Sequence, residues 1–123
     1  MLRYLFNKLF EKKKRKIDEE TGKEAHNHFV EGNDYSYNGN YEQSISEYIK
    51  AIELNPNVPV YHYNLGNSYA NLKKFNEAIK SFSEAIKLHP KYNEAYRNRG
   101  TCYSMVGNIT KANKDFKLAK FKI

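Results

Sequence analysis

The stretch "YHYNLGNSYANLKKFNEAIKSFSEAIKLHP", residues 61–90, places a glycine, tyrosines, alanines, a phenylalanine and a closing proline in an order that recurs elsewhere in the chain. Gly32, Gly66 and Gly100 are 34 residues apart, as are Tyr35, Tyr69 and Tyr103. The same interval links Tyr48, Phe82 and Phe116, and again Ala51, Ala85 and Ala119. Ala78 matches Ala112, with Ser44 as the small residue of the first copy. Pro56 and Pro90 close two copies, and the third reaches Ile123. A fixed period of this length is the mark of a stacked repeat, in which each unit buries its apolar face only against its neighbours. The copies fall at about 25–58, 59–92 and 93–123.

Local signals predict two short helices per copy. Thr21 with Glu24 forms the pattern of a capping box ahead of "KEAHNHFVEGNDYSYN". Gly39-Asn40 then interrupts the helix, and Asn40 is placed to cap the next one. Gly107-Asn108 repeats the interruption in the third copy, while Lys73-Lys74 stands there in the second. Gly32 and Ser44 are small enough to let paired helices approach, with Tyr35 and Tyr48 filling the space beside them. Proline stops the second helix, because it lacks an N–H and disfavours helical backbone in the residue before it.

Composition narrows the class. Forty per cent hydrophobic and 28 % charged residues are the balance of a folded globular chain. Cys102 is the lone cysteine, so no internal disulfide forms and nothing calls for an oxidising compartment. No run approaches the roughly 20 apolar residues that span a bilayer. "MLRYLFNKLF" is broken by Asn7 and Lys8 and lacks a small-residue cleavage site, and its Lys-rich, Ser-poor surroundings do not fit a mitochondrial presequence. These features predict an intracellular, cytoplasmic protein. Residues 1–16 hold seven basic residues against Glu11, whereas residues 17–123 hold 14 basic and 13 acidic. The basicity therefore belongs to a tail on a nearly neutral body, which argues against nucleic acid as a partner.

The spacing resembles the tetratricopeptide repeat, whose pattern of a large residue, then L-G, Y, A, F, A and P is clearest in Leu65-Gly66, Tyr69, Ala78, Phe82, Ala85 and Pro90. The resemblance covers residues 25–123 and implies an all-α, right-handed solenoid of three helix-turn-helix units, here with residues 1–20 as a basic amphipathic extension. The family's usual Trp at the fourth position is His28, His62 and Tyr96 in the three copies. Its usual Leu at the seventh is Glu31 in the first copy and Arg99 in the third, departures expected to loosen local contacts. The family usually adds a polar-faced helix after its last copy. Without one, Phe116, Ala119, Phe121 and Ile123 are expected on or near an uncovered end, which would fray or self-associate.

No phosphate-cradling glycine loop, paired catalytic carboxylates or nucleophile motif appears, and the chain is expected to be no enzyme and to need no cofactor. His26 and His28 are two apart and diverge on a helix, while His28 and His62 share a packing position, so no metal site is predicted from them. Cys102 has no catalytic neighbour at a useful spacing.

By resemblance, an extended peptide or protein partner lies on the concave face against the leading helix of each copy. The residues implied are Phe29 and Asn33; Tyr63, Asn64 and Asn67; and Arg97 and Thr101. Amides would bond the ligand backbone, and Phe29 and Tyr63 would hold apolar side chains. Some co-chaperones of the family clamp the C-terminal carboxylates of heat-shock proteins with three cations and two asparagines. Asn33 and Asn64 match, but Phe29, Glu94 and Asn98 occupy the cationic places, so that clamp is not expected here.

In the N-terminal segment Leu2, Leu5, Phe6, Leu9 and Phe10 keep helical spacing, and "KKKRK" follows at Lys12 to Lys16. The pattern suits an anionic membrane surface, where each basic residue adds about 1 kcal/mol. It also suits a nuclear import signal in a eukaryotic source, a helix docking on the uncovered end of another copy, or the solvated tail that charge runs usually are. The functional expectation is a non-catalytic scaffold or adaptor binding a partner in its groove. The alternatives are an adaptor attached to a membrane surface through residues 1–16 and a subunit that assembles through its open end.

Overall fold

The computed structural model describes residues 1–120, and Phe121 and Ile123 of the expected uncovered end lie outside them. Six helices follow one another: α1 (Leu2–Tyr37), α2 (Tyr41–Leu54), α3 (Pro59–Asn71), α4 (Phe75–Leu88), α5 (Asn93–Met105) and α6 (Ile109–Lys120). No strand occurs among the described residues. The helices pair as α1 with α2, α3 with α4 and α5 with α6, and the pairs stack in order to form an all-α solenoid.

Close approach within each pair rests on a missing side chain. A Cβ on Gly32 would stand 2.6 Å from Cε1 of Tyr48, and a Cβ on Gly100 would stand 2.7 Å from Cε1 of Phe116. The ring of the trailing helix therefore lies directly on the backbone of the leading one. Ala25, Ala51, Ala78, Ala85, Ala95 and Ala112 are fully buried beside these contacts, so no longer side chain props the helices apart.

The turn inside each pair has one construction, made three times. Gly39, Lys73 and Gly107 all adopt left-handed backbone, with φ of 78°, 60° and 86°. The amides of Asn40, Lys74 and Asn108 then reach back to the carbonyls of Tyr35, Tyr69 and Tyr103 at 2.8–2.9 Å. The amides of Gly39, Lys73 and Gly107 reach those of Ser36, Ala70 and Ser104 at 2.9–3.1 Å. This double closure satisfies carbonyls that a helix end leaves open. The recurring tyrosine thus marks a fixed backbone position as well as a packed ring.

The carbonyls of Pro56 and Pro90 are tied to the next copy. His62 donates Nε2–H to Pro56 O at 2.8 Å, and Tyr96 donates its hydroxyl to Pro90 O at 2.9 Å. In the second and third copies the residue in the position that the resembled repeat gives to tryptophan therefore fastens one unit to the preceding loop.

Four expectations need correction. The capping box at Thr21 does not form, because α1 is already running: its lysine, arginine and glutamate residues favour helix, and its amides are bonded within it. Asn40 stands at the start of α2 but makes no side-chain cap bond, whereas Asn108 Oδ1 accepts from the Lys111 amide at 3.2 Å. Arg99 does not loosen its surroundings, since it forms a two-pronged pair with Asp115 and reaches Ser83 Oγ in the preceding unit. Ala119 is buried and Phe116 half-buried against Gly100, and the apolar side chains exposed near that end are Met105, Val106, Ile109 and Leu118.

Candidate functional site

The leading helices α1, α3 and α5 are cross-linked by two pairs of asparagines. Asn64 Nδ2 donates to Asn33 Oδ1 at 2.9 Å, and Asn98 Nδ2 donates to Asn67 Oδ1 at 2.8 Å. The second pair is the first displaced by one repeat. Each is anchored by a tyrosine: Tyr48 donates its hydroxyl to Asn33 Oδ1 at 2.6 Å, and the Tyr63 hydroxyl accepts from Asn98 Nδ2 at 3.0 Å. Burial raises the Tyr48 phenol above its ordinary pKa, so this donor stays protonated across physiological pH.

These bonds use one amide atom per asparagine. Asn33 Nδ2 and Asn64 Oδ1, and likewise Asn67 Nδ2 and Asn98 Oδ1, have no other partner among the described residues. One donor and one acceptor at each of two levels match the N–H and C=O that an extended backbone presents.

Of the residues that the sequence points to, Asn33, Asn64 and Asn67 are drawn together in this ladder. Phe29 and Tyr63 are half-buried and committed in part to the seams between units. Phe29 packs on Tyr61 with ring centroids 4.8 Å apart, and Tyr63 stacks on Tyr92 at the same distance. Burial pushes the Tyr92 phenol up to about 12, with neighbouring Tyr63 and Glu94 adding to the shift. Thr101 is exposed and spends its hydroxyl on the Arg97 carbonyl at 3.1 Å. It lines a cavity of about 450 Å³ with Asn67, Asn98, Ala70, Phe75 and Met105. Arg97 lies apart, exposed beside Phe116, Ala119 and Lys120 around a second cavity of about 460 Å³.

Sequence reasoning missed Asn98 as a member, treating it only as the absence of a cation. It also missed Phe75 and Met105. The interval of 31 residues from Asn33 to Asn64 and from Asn67 to Asn98 was the available signal.

One cluster offers metal-binding atoms. His28, Glu31 and Glu47 hold ligand atoms within 4.8 Å of one another. His28 already donates Nδ1–H to Glu47 Oε2 at 2.7 Å, and Lys50 Nζ reaches the other oxygen at 3.0 Å. That bond from His28, opposed by burial and aided by Lys50, holds the Glu47 carboxyl below its ordinary range. The arrangement is a satisfied hydrogen-bonded cluster, and in the third unit Asp115 stands in the place of Glu47 and Arg99 in that of Glu31.

Comparison with known proteins agrees with this construction. A family profile described as "Tetratricopeptide repeat" matches residues 59–92, and one described as "TPR repeat" matches residues 32–73. A search of curated proteins gives no match. Among solved structures, the first TPR of Spaghetti (RPAP3), bound to the HSP90 peptide SRMEEVD, is 30% identical with a TM-score of 0.78, over 80% of this chain and 78% of that one. The second TPR of the same protein, bound to the same peptide, is 26% identical with a TM-score of 0.81, over 85% and 95%. The first TPR domain of human RPAP3 is 30% identical with a TM-score of 0.76, over 80% and 77%. With its 34-residue period, glycine-on-ring contacts and three stacked helix pairs, the chain belongs to the tetratricopeptide repeat family.

Proposed function

We propose that the protein is a non-catalytic scaffold that holds an extended segment of a partner protein against α1, α3 and α5. The observation carrying this reading is the doubled asparagine pair, which repeats at the interval of the fold and leaves a donor and an acceptor open at each level. Recognition of backbone in this way is tolerant of sequence. Selectivity then comes from side chains that enter the cavity walled by Ala70, Phe75, Thr101 and Met105. The peptide-bound relatives support a peptide as the ligand class.

The ligand differs in charge from a terminal carboxylate. Phe29 is packed on Tyr61, Asn98 is bonded to Asn67 and Tyr63, and Glu94 is exposed and acidic. None of the three supplies the positive charge that fixes a carboxylate.

A peptide library displayed on both ends, with no free C-terminus, tests the proposal against the full chain. Selected peptides are expected to lose at least about tenfold in affinity, the worth of one or two hydrogen bonds, on Asn33→Ala or Asn67→Ala. The peptide SRMEEVD is expected to bind no more tightly than its C-terminal amide. Peptides that bind both variants as well as the parent would remove the asparagine ladder from the reading.

A further inference from the structure

We propose that residues 2–17 of α1 bind the surface of an anionic lipid membrane. In the structure residues 1–20 are exposed throughout. Leu2, Leu5, Phe6, Leu9, Phe10 and Ile17 are all between 49% and 84% exposed. On an ideal helix these six fall within an arc of about 140°. Lys13 and Lys16 share that arc, and their long stems carry the ammonium groups out to the level of lipid headgroups. No helix among the described residues is long and apolar enough to cross a membrane, so the segment lies on the surface.

Charge identifies the lipid as anionic. Residues 1–16 carry seven basic groups and one acidic group, a net +6. Residues 17–37 of the same helix carry Lys23 alone against Asp18, Glu19, Glu20, Glu24, Glu31 and Asp34, a net −5. This order opposes the helix dipole, whose positive end is at the N-terminus, and no acidic residue stands in the first turn. A negatively charged surface beside residues 2–17 offsets both the crowded cations and the dipole end. Each basic residue near such a surface strengthens binding roughly fivefold.

The same helix shows where contact stops. On an ideal helix Glu20, Glu24 and Glu31 continue the side occupied by the apolar residues, so an anionic surface repels α1 beyond residue 17. The repeats and their asparagine ladder therefore stand clear of the lipid.

Other occupants fit less well. Nucleic acid or an import receptor uses the cations but leaves Leu5, Phe6, Leu9 and Phe10 without a partner. On a second copy, α6 carries Lys111, Lys114, Lys117 and Lys120, and its one acid, Asp115, is already paired with Arg99. That surface repels the basic segment.

Flotation of the full chain with vesicles of phosphatidylcholine, with and without phosphatidylserine, tests the proposal. Binding is expected only with phosphatidylserine, weakening as salt rises. The change Phe6→Ser/Phe10→Ser is expected to lower partitioning by at least about tenfold per ring, with circular dichroism confirming that the helices persist. Lys13→Glu/Lys14→Glu is expected to abolish it. Equal binding to both vesicle types, no binding, or flotation unchanged by the double serine variant would overturn the proposal. So would capture of an RNA oligonucleotide that displaces the vesicles and ignores the serine changes, which would assign the segment to nucleic acid. A mass that doubles by light scattering and reverts to monomer in the serine variant would assign it to a second copy. Peptide affinity in the groove is unaffected in every case, so the two proposals fail separately.

Discussion

Gly66 lies so close beneath Phe82 that a methyl group on it would stand 2.7 Å from Cε1 and 2.8 Å from Cδ1 of the ring. Phe82 is fully buried and has nowhere to retreat. Gly66→Ala is therefore expected to destabilise by about 1–3 kcal/mol through overpacking, although alanine favours helix by about 1 kcal/mol. Urea denaturation checks the sign. Phe82→Leu in the Gly66→Ala background is expected to recover part of the loss, and a Gly66→Ala protein of unchanged or greater stability would contradict the contact.

Lys73 occupies the left-handed position that glycine fills at 39 and 107. A side chain there costs about 1–2 kcal/mol, partly offset by the greater unfolded freedom of glycine. Lys73→Gly is expected to stabilise by about 0.5–1 kcal/mol in the same denaturation measurement. Gly39→Lys is expected to destabilise by a similar amount.

Arg99 donates Nε–H to Asp115 Oδ2 and an Nη2–H to Oδ1, both at 2.8 Å, and donates from Nη1 to Ser83 Oγ at 3.1 Å. Bonding to Asp115 raises the Arg99 pKa further. Asp115→Ala strands a largely buried cation and is expected to cost about 3 kcal/mol. In the second unit the corresponding residues are Leu65 and Ser81. The double change Arg99→Leu/Asp115→Ser copies that neutral pair, and its thermal midpoint is expected to lie well above that of the single variant.

The Glu47 carboxyl titrates below its ordinary value of 4.5, mainly because His28 hydrogen-bonds its charged form. A lowered carboxylate pKa contributes stability that is present above the unfolded value and lost as pH falls through the folded one. The stability gap between the parent and Glu47→Gln is expected to be about 1 kcal/mol or less near neutrality, closing below about pH 4. Thermal melts across this range measure it, and a gap that widened in acid would reverse the assignment.

Burial pushes the Cys102 thiol up to about 11, against an ordinary value of 9.0. At pH 8 its thiolate is then scarcer by about a hundredfold than in the unfolded chain. Reaction with an aromatic disulfide reagent is expected to be slowed at least that much in the folded protein and released by urea.

The repeat was legible in the sequence because a ring seated on a backbone tolerates only glycine, so Gly32, Gly66 and Gly100 recur without substitution. The turn was legible in part: Gly39 and Gly107 announce left-handed backbone, whereas Lys73 is held there by its neighbours and carries no local signal. Pairings between distant side chains were not. Ser44 reads as a small stand-in for alanine, yet its hydroxyl donates to Tyr41 O at 2.8 Å and accepts from buried Ser68 at 2.7 Å. Arg99 reads as a lost leucine until Asp115 is found opposite. The asparagine ladder stayed hidden for the same reason, since each residue's meaning lies in a partner about one repeat away. The start of α1 escaped because a cap signal at Thr21 is strictly local, and a helix begun at Leu2 has no amide left for it to satisfy.

That α1 is a single helix of 36 residues, about 54 Å long, gives its two halves a common axis. Any residue added or removed near Gly22 twists the N-terminal half by about 100° relative to the asparagines of the groove. A variant lengthened or shortened at this point therefore changes azimuth as well as reach. The number of residues between the two halves thus sets the bearing of the asparagines relative to the apolar face of residues 2–17.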